Sequence, residues 1–392
     1  MARMQRRRAA WPLAALLLAS TSAMAASENQ LVLIGTYTLG GSRGIYEVRL
    51  DNETGALSAP VLAAETPNPS FLAMAPSRRF IYAHADVGTL PDGRAAGGIR
   101  AFALDPDSGR LTALNERATG DPFPSNVAID ATGQLVATVS GTGGHLTTFH
   151  VNPDGSLGPI ASRRATAGTP GPVPVRQVAP YPHSTNFAPD NRFAVVCDLG
   201  ADRLFSYRVD AASGKLGPDH PPFAQLPRGT GPRHAKFSAD GRFLYVVGEL
   251  SNTVTACRYD AATGRIEPFQ RLSTVPAGVR NSMPDNRPDS TASEIRLERS
   301  QRFVYAANRG DDSIAVFARD PDSGALALVE IVKSGGKTPR NFAISPDGKW
   351  LLCAHLDSDN LTVFRIDGQS GRLSRMPGVA AVPKGICVVF VN

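Results

Sequence analysis

Apolar residues along this chain recur in short alternating runs, not at helical spacing. Thr253-Val254-Thr255-Ala256 and Ser313-Ile314-Ala315-Val316-Phe317 place every second side chain on one face, the period of a half-buried strand. Clusters of Gly, Asp, Asn and Pro separate the runs and mark tight turns. One stretch, GPRHAKFSADGRFLYVVGEL from Gly231 to Leu250, holds a complete cycle of the pattern. It comprises a charged loop (Pro232, Arg233, His234), an extended segment to Phe237, a turn at Ala239-Asp240-Gly241-Arg242 and an apolar strand to Glu249.

The cycle returns as PSFLAMAPSRRFIYAHAD from Pro69, PSNVAIDATGQLVATVS from Pro124, PHSTNFAPDNRFAVVCDLG from Pro182, SEIRLERSQRFVYAANRG from Ser293 and PRNFAISPDGKWLLCAHL from Pro339. A shortened copy, PKGICVVF from Pro383, ends the chain. A second motif alternates with the first: DNETGAL, DPDSGRL, NPDGSL, DAASGKL, DAATGRI, DPDSGAL and DGQSGRL, starting at Asp51, Asp105, Asn152, Asp210, Asp260, Asp320 and Asp367. Each reads as a hairpin turn in which Gly takes the positive φ. Its glycines fall roughly 50 residues apart, close to the period of four-stranded propeller blades. Two series of seven members predict an all-β, seven-bladed β-propeller. PKGICVVF matches only a first strand, and LVLIGTYTLGGSRGIYEVRLDNETGAL only later strands, so the two ends are expected to complete one blade and remove an open edge.

Residues 1–25 fall outside this pattern. Arg6, Arg7 and Arg8, an apolar run from Trp11 to Leu18 and Ala23-Met24-Ala25 read as a secretory signal, too short to span a bilayer, with either a general or a twin-arginine route open. A propeller over 26–392, periplasmic or secreted and free of the membrane after cleavage, is the expectation. The segment carries four of the 41 Lys and Arg and none of the 35 Asp and Glu, so the remainder has a formal charge of about +2 rather than +6. Nucleic-acid binding loses its electrostatic support, and no RNA-binding aromatic motif replaces it. Two Pro- or Asn-rich stretches, Arg163–Tyr181 and Ala277–Ser293, read as long loops over one face. Cys197, Cys257, Cys353 and Cys387 sit in separate strands and read as buried thiols. With no CxxC or HExxH, no metal site is predicted. DPDSG at Asp105 and Asp320 resembles part of a calcium loop, but DAASG and DGQSG lack the second carboxylate, so a turn is preferred. No phosphate loop or GxSxG elbow is present.

In an up-and-down blade, first strands begin and second strands end on one face, while both turn series lie on the other. The residues at the first-strand starts are Ser70, Ser125, His183, Arg233, Ser293, Arg340 and Lys384. Those at the second-strand ends include Asp86, Asp198, Glu249, Arg309 and His355, with Glu294 and Asn341 alongside. Charges of both signs therefore converge at one mouth of the central channel, where they shift one another's pKa toward catalytic use. Single charges at strand ends are as often solvated or paired, so the cluster carries the signal.

At PHSTNF, GPRHAKF, GELSNTV, SEIRL, NRGDDSIAVF and GGKTPRNFAISPDG the chain resembles the lactonase family of seven-bladed propellers, which includes 6-phosphogluconolactonase and carboxymuconate cyclase. The resemblance implies a site of His183, Arg233, Glu249 and Arg309, motif by motif. Position adds Arg340, Asn341, Glu294 and Asp198 as substrate contacts. The resemblance implies hydrolysis of a small-molecule lactone by a monomer or weak dimer with no cofactor or metal: Glu249 or His183 as base, the other as acid, and Arg233 and Arg309 on the oxyanion or a substrate anion. An export signal favours a sugar lactone over a phosphorylated cytoplasmic one. Two alternatives share the repeats: a non-enzymatic YVTN-type propeller that binds a partner, and a lactone-forming cyclase. A binding scaffold has no need of the four residues together.

Overall fold

The computed structural model describes residues 29–218, 222–279 and 289–391. The segment read as an export signal lies outside them, as does 280–288 of the second long loop. Every element among the described residues is a strand, and the strands form seven antiparallel sheets, the blades. Blade 4 is representative: Pro232–Phe237, Phe243–Gly248, Thr253–Asp260 and Arg265–Ser273 pair in chain order. First strands of successive blades touch one another right round the ring and so enclose the channel. The last blade takes Gly385–Phe390 from the C-terminal end and Gln30–Thr36, Gly44–Leu50 and Val61–Glu65 from the N-terminal end. Its register runs through Ile34 opposite Val388 and Leu33 opposite Val389, so the ring closes by hydrogen bonds between the two ends. Blade 3 departs from the plan: its outer position is shared by two short strands, Lys215–Gly217 and Phe223–Gln225, both paired to Arg203–Asp210.

The Asp-x-x-Ser/Thr-Gly motif does two jobs. Within the turn, Asp320 Oδ1 accepts the Ser323 amide and hydroxyl, each at 2.7 Å, and Gly324 N–H donates to Asp320 O at 3.0 Å. Between blades, Gly324 and Gly371 have φ of 72° and 74° and lie flat on Phe243 and Phe303 of the preceding blade. Tyr245 and Tyr305 donate their hydroxyls to the carbonyls of those glycines, each at 2.9 Å. One small residue thus satisfies a buried phenol, seats an aromatic ring and turns the chain. A Cβ at Gly324 would enter the Phe243 ring. Gly324→Ala is expected to lower stability by about 2–4 kcal/mol, the sum of a left-handed backbone penalty and overpacking, as read by urea unfolding. The four cysteines are free and buried.

Candidate active site

The first strands carry a recurrent irregularity at the mouth. Pro182 pairs with Asp198 and Ser184 with Cys197, so His183 is skipped by the ladder. Ser125, Arg233, Arg340 and Ile386 are skipped in the same way. A bulged residue leaves the alternation of the strand and is re-aimed. All five line one cavity of about 280 Å³ at the channel mouth, joined by Ser70. Counting along PKGICVVF puts Lys384 in this set. The pairing of Gly385 with Thr36 and Cys387 with Gly35 instead gives the position to Ile386. Lys384 turns aside, its Nζ reaching Leu356 O and Asp359 Oδ1, each at 3.3 Å. The cavity therefore has an apolar arc where a cation was expected.

Glu249 directly follows the second strand of blade 4 and is buried among guanidinium groups. Its Oε2 meets Arg233 Nε at 2.9 Å and Arg309 Nη2 at 3.0 Å, and its Oε1 meets Arg176 Nη2. Burial pushes this carboxyl up, but Arg309, Arg176 and Arg233 together outweigh burial and hold it well below the usual carboxylate range. It is ionised at neutral pH, and both oxygens are occupied. Burial, then the neighbouring Arg309 and Arg340, lowers Arg233 to about 9, so it stays charged at pH 7. Arg340 is half-buried, stacks over Tyr37 with 5.6 Å to the ring centre, and donates to the Tyr37 hydroxyl at 3.1 Å. It has no ion-pair partner among the described residues, so the mouth holds more positive charge than the protein neutralises.

Three histidines, His84, His183 and His234, line the cavity, and the rings of His183 and His234 have centres 5.3 Å apart. His183 is buried, and its Nδ1 finds no partner among the described residues. Burial, then Arg233, holds it well below its ordinary value, so it is neutral. His234 is anchored: its Nδ1 lies 3.0 Å from Glu294 Oε2, and its Nε2 is 3.3 Å from Arg233 Nη1. Its Phe71 neighbour packs edge-on at 5.6 Å. Glu294 is fully buried and serves four donors: His234, Asn341 Nδ2, the Ile295 amide at 2.9 Å and Arg296 Nη1 at 2.7 Å. Burial raises its carboxyl, but Arg296 and His234 outweigh that and leave it ionised.

The structure thus sorts the expected residues. His183, Arg233, Arg340 and Asn341 line the cavity, whereas Glu249 and Arg309 stand behind Arg233. Arg309 also donates to Ala292 O at 3.1 Å and Thr291 O at 3.3 Å. Glu294 sits beneath His234 and Asn341 with no oxygen free for a ligand. Asp198 is fully buried outside the cavity lining, its Oδ1 accepting the amides of Tyr181 at 2.8 Å and Ala201 at 2.9 Å. It shapes the loop entering blade 3. His355 is also internal, with Nδ1 3.2 Å from Asn360 O. Sequence reasoning missed Arg176, which reaches Glu249 from the Pro/Gly-rich loop, and the role of His234, visible only as the last letter of GPRH.

Residues 31–390 match the family described as Lactonase, 7-bladed beta-propeller. The 6-phosphogluconolactonase of Bacillus subtilis is 38% identical over 359 residues, covering 92% of this chain and 97% of that protein. An uncharacterized protein of Lactococcus lactis is 32% identical over 92% of this chain and 99% of its own length. Among solved structures, the periplasmic gluconolactonase of Pseudomonas aeruginosa is 32% identical, with a TM-score of 0.83 over 93% of this chain and 99% of that one. A Lactobacillus plantarum structure at 31% identity has a TM-score of 0.83 over 93% of this chain and all, 100%, of its own. Fold, ring closure and whole-length similarity agree, and the chain belongs to the seven-bladed β-propeller lactonase family.

Proposed function

We propose that this protein is an exported enzyme that hydrolyses a sugar or sugar-phosphate lactone in the cavity at the channel mouth. The observation that carries this reading is the pairing of charged guanidinium groups with neutral histidines on one wall. Lactone opening needs a base for water, donors where the carbonyl oxygen gains charge, and a proton for the departing alkoxide. Arg233 supplies the donors: Glu249 takes its Nε, Ser293 O and His234 Nε2 take its Nη1, and no protein atom among the described residues takes its Nη2. Glu249 is not the base, since three guanidinium groups hold both its oxygens. Its work is to fix Arg233 and Arg309 in place and keep them charged. The proton falls instead to a cavity histidine, neutral at pH 7 and free to accept. Export rests on the arginine-led apolar N-terminal segment, and the periplasmic gluconolactonase relative is in keeping with it.

Arg340, without a carboxylate partner, is the residue to meet an anionic group on the substrate. Arg340→Met is expected to raise KM about 10- to 100-fold for a lactone bearing phosphate or carboxylate, the loss of one charge-assisted contact, while leaving a neutral lactone nearly unchanged. Steady-state kinetics on glucono-δ-lactone and 6-phosphogluconolactone read this directly. Equal loss on both would reassign Arg340 to the shape of the cavity.

A further inference from the structure

Of the three histidines that line the cavity, only His234 is paired with a carboxylate among the described residues; His84 meets Ser70 Oγ through Nδ1, and its buried Nε2 has no partner there. Glu294 is ionised and can only accept, so His234 keeps its hydrogen on Nδ1 and presents a lone pair at Nε2. His234 lines the cavity, and this nitrogen has a single long contact, to Arg233 Nη1 at 3.3 Å. The His234 ring is held between Phe71 and His183, 5.6 Å and 5.3 Å away, so its aim is fixed. An imidazolium formed at His234 would sit against the Glu294 carboxylate. One formed at His183 would bury a second N–H at Nδ1, an atom with no partner among the described residues. The difference is that between a paired and an unpaired buried charge, and it decides between the rings.

We propose that His234 Nε2 is the proton acceptor for the attacking water and that Glu294 is its positioning residue. This rests on the lactonase reading above. The water oxygen bonds to the lactone carbonyl carbon as its proton passes to Nε2. Arg233 meets the oxyanion. The ring C–O bond then breaks, its electron pair stays on the ring oxygen, and that oxygen takes the proton back from Nε2. The products are the hydroxy acid and neutral His234. His183 remains neutral throughout and contacts the substrate.

Charged and titratable groups around His234 are Glu294 and Arg296 from blade 5, Arg233 and Lys236 on its own strand, and His183 from blade 3. Burial, opposed by Glu294 and reinforced by Arg233, brings His234 down to about 4, so the acid limb of kcat/KM is expected near that pH.

The test uses the full mature chain, with thermal unfolding monitored for every variant. His234→Gln is expected to lower kcat about 100-fold or more with KM within about threefold, and His234→Gly to recover activity with added imidazole. Glu294→Gln, which removes the charge favouring the imidazolium, is expected to lower the plateau and move the acid limb to lower pH. A folded His234→Gln enzyme with wild-type kcat, or an acid limb unmoved in a folded Glu294→Gln, overturns the proposal and returns the base to His183. Absence of wild-type hydrolysis across the lactones overturns the lactonase reading itself, a distinct result.

Discussion

Glu249→Gln is expected to destabilise the protein by about 3–5 kcal/mol, the cost of leaving buried cations without their counter-charge. The wild-type carboxylate is the common partner of Arg233, Arg309 and Arg176. Arg176 is on the surface loop, with 39% of its side chain exposed, and can withdraw into water. Arg233 and Arg309, 4% and 15% exposed, cannot, so the cost falls on them. The same carboxyl sets an acid limit. Its folded-state pKa is depressed, so its contribution is complete above the unfolded value of about 4.3 and is lost as pH falls through the folded value, far lower. The wild type is therefore expected to lose stability progressively below about pH 4, and Glu249→Gln to lack this part of the acid response, as read by urea unfolding from pH 3 to 7. A variant as stable as wild type would mean that the three arginines do not depend on Glu249.

Arg233→Met separates chemistry from folding. Removing one cation leaves Glu249 still paired with two, so the stability loss is expected to be well below that of Glu249→Gln. Activity should suffer more. Arg233 is a charged donor in the cavity lining that meets His234, and loss of one oxyanion donor lowers kcat about 100- to 1000-fold. Because Arg233 also meets His234 Nε2, its removal raises the His234 pKa as well, by taking away a neighbouring positive charge. The acid limb of the residual activity should therefore move to higher pH, opposite in sign to Glu294→Gln. Stopped-flow or pH-stat rates on a folded variant check both parts. Unchanged kcat would remove Arg233 from the reaction.

Much of this was legible in the chain. The alternating runs and the seven glycine hairpin turns specify the blades because both signals are local: period-two burial and a left-handed glycine. The unmatched ends specify closure for the same reason. His183, Arg233 and Arg340 could be placed at the mouth because each follows a proline at a fixed distance from an apolar anchor. The bulge that aims them inward leaves no mark in that alternation, and so counting residues in the short last repeat points to Lys384 where the pairing puts Ile386. Nor does spacing show who pairs with whom. Arg176 comes to Glu249 from 73 positions away through a loop of Pro and Gly that has no period to follow. Glu294 looked like a substrate contact because it stands beside Ser293, and only convergence of four donors from two blades and its own strand reveals that it is spent on holding His234 and Asn341.

The central claim is that the cavity opens lactones, and pH-stat titration of the signal-free chain tests it most directly. Glucono-δ-lactone, 6-phosphogluconolactone and a muconolactone would be followed with spontaneous opening subtracted and Arg233→Met run beside the wild type. The expected result is acid release above background on at least one of them, lost in the folded variant. Rates equal to spontaneous opening for all three, or a rate that Arg233→Met retains, would contradict the account and favour a propeller that binds a partner at this mouth without turning it over.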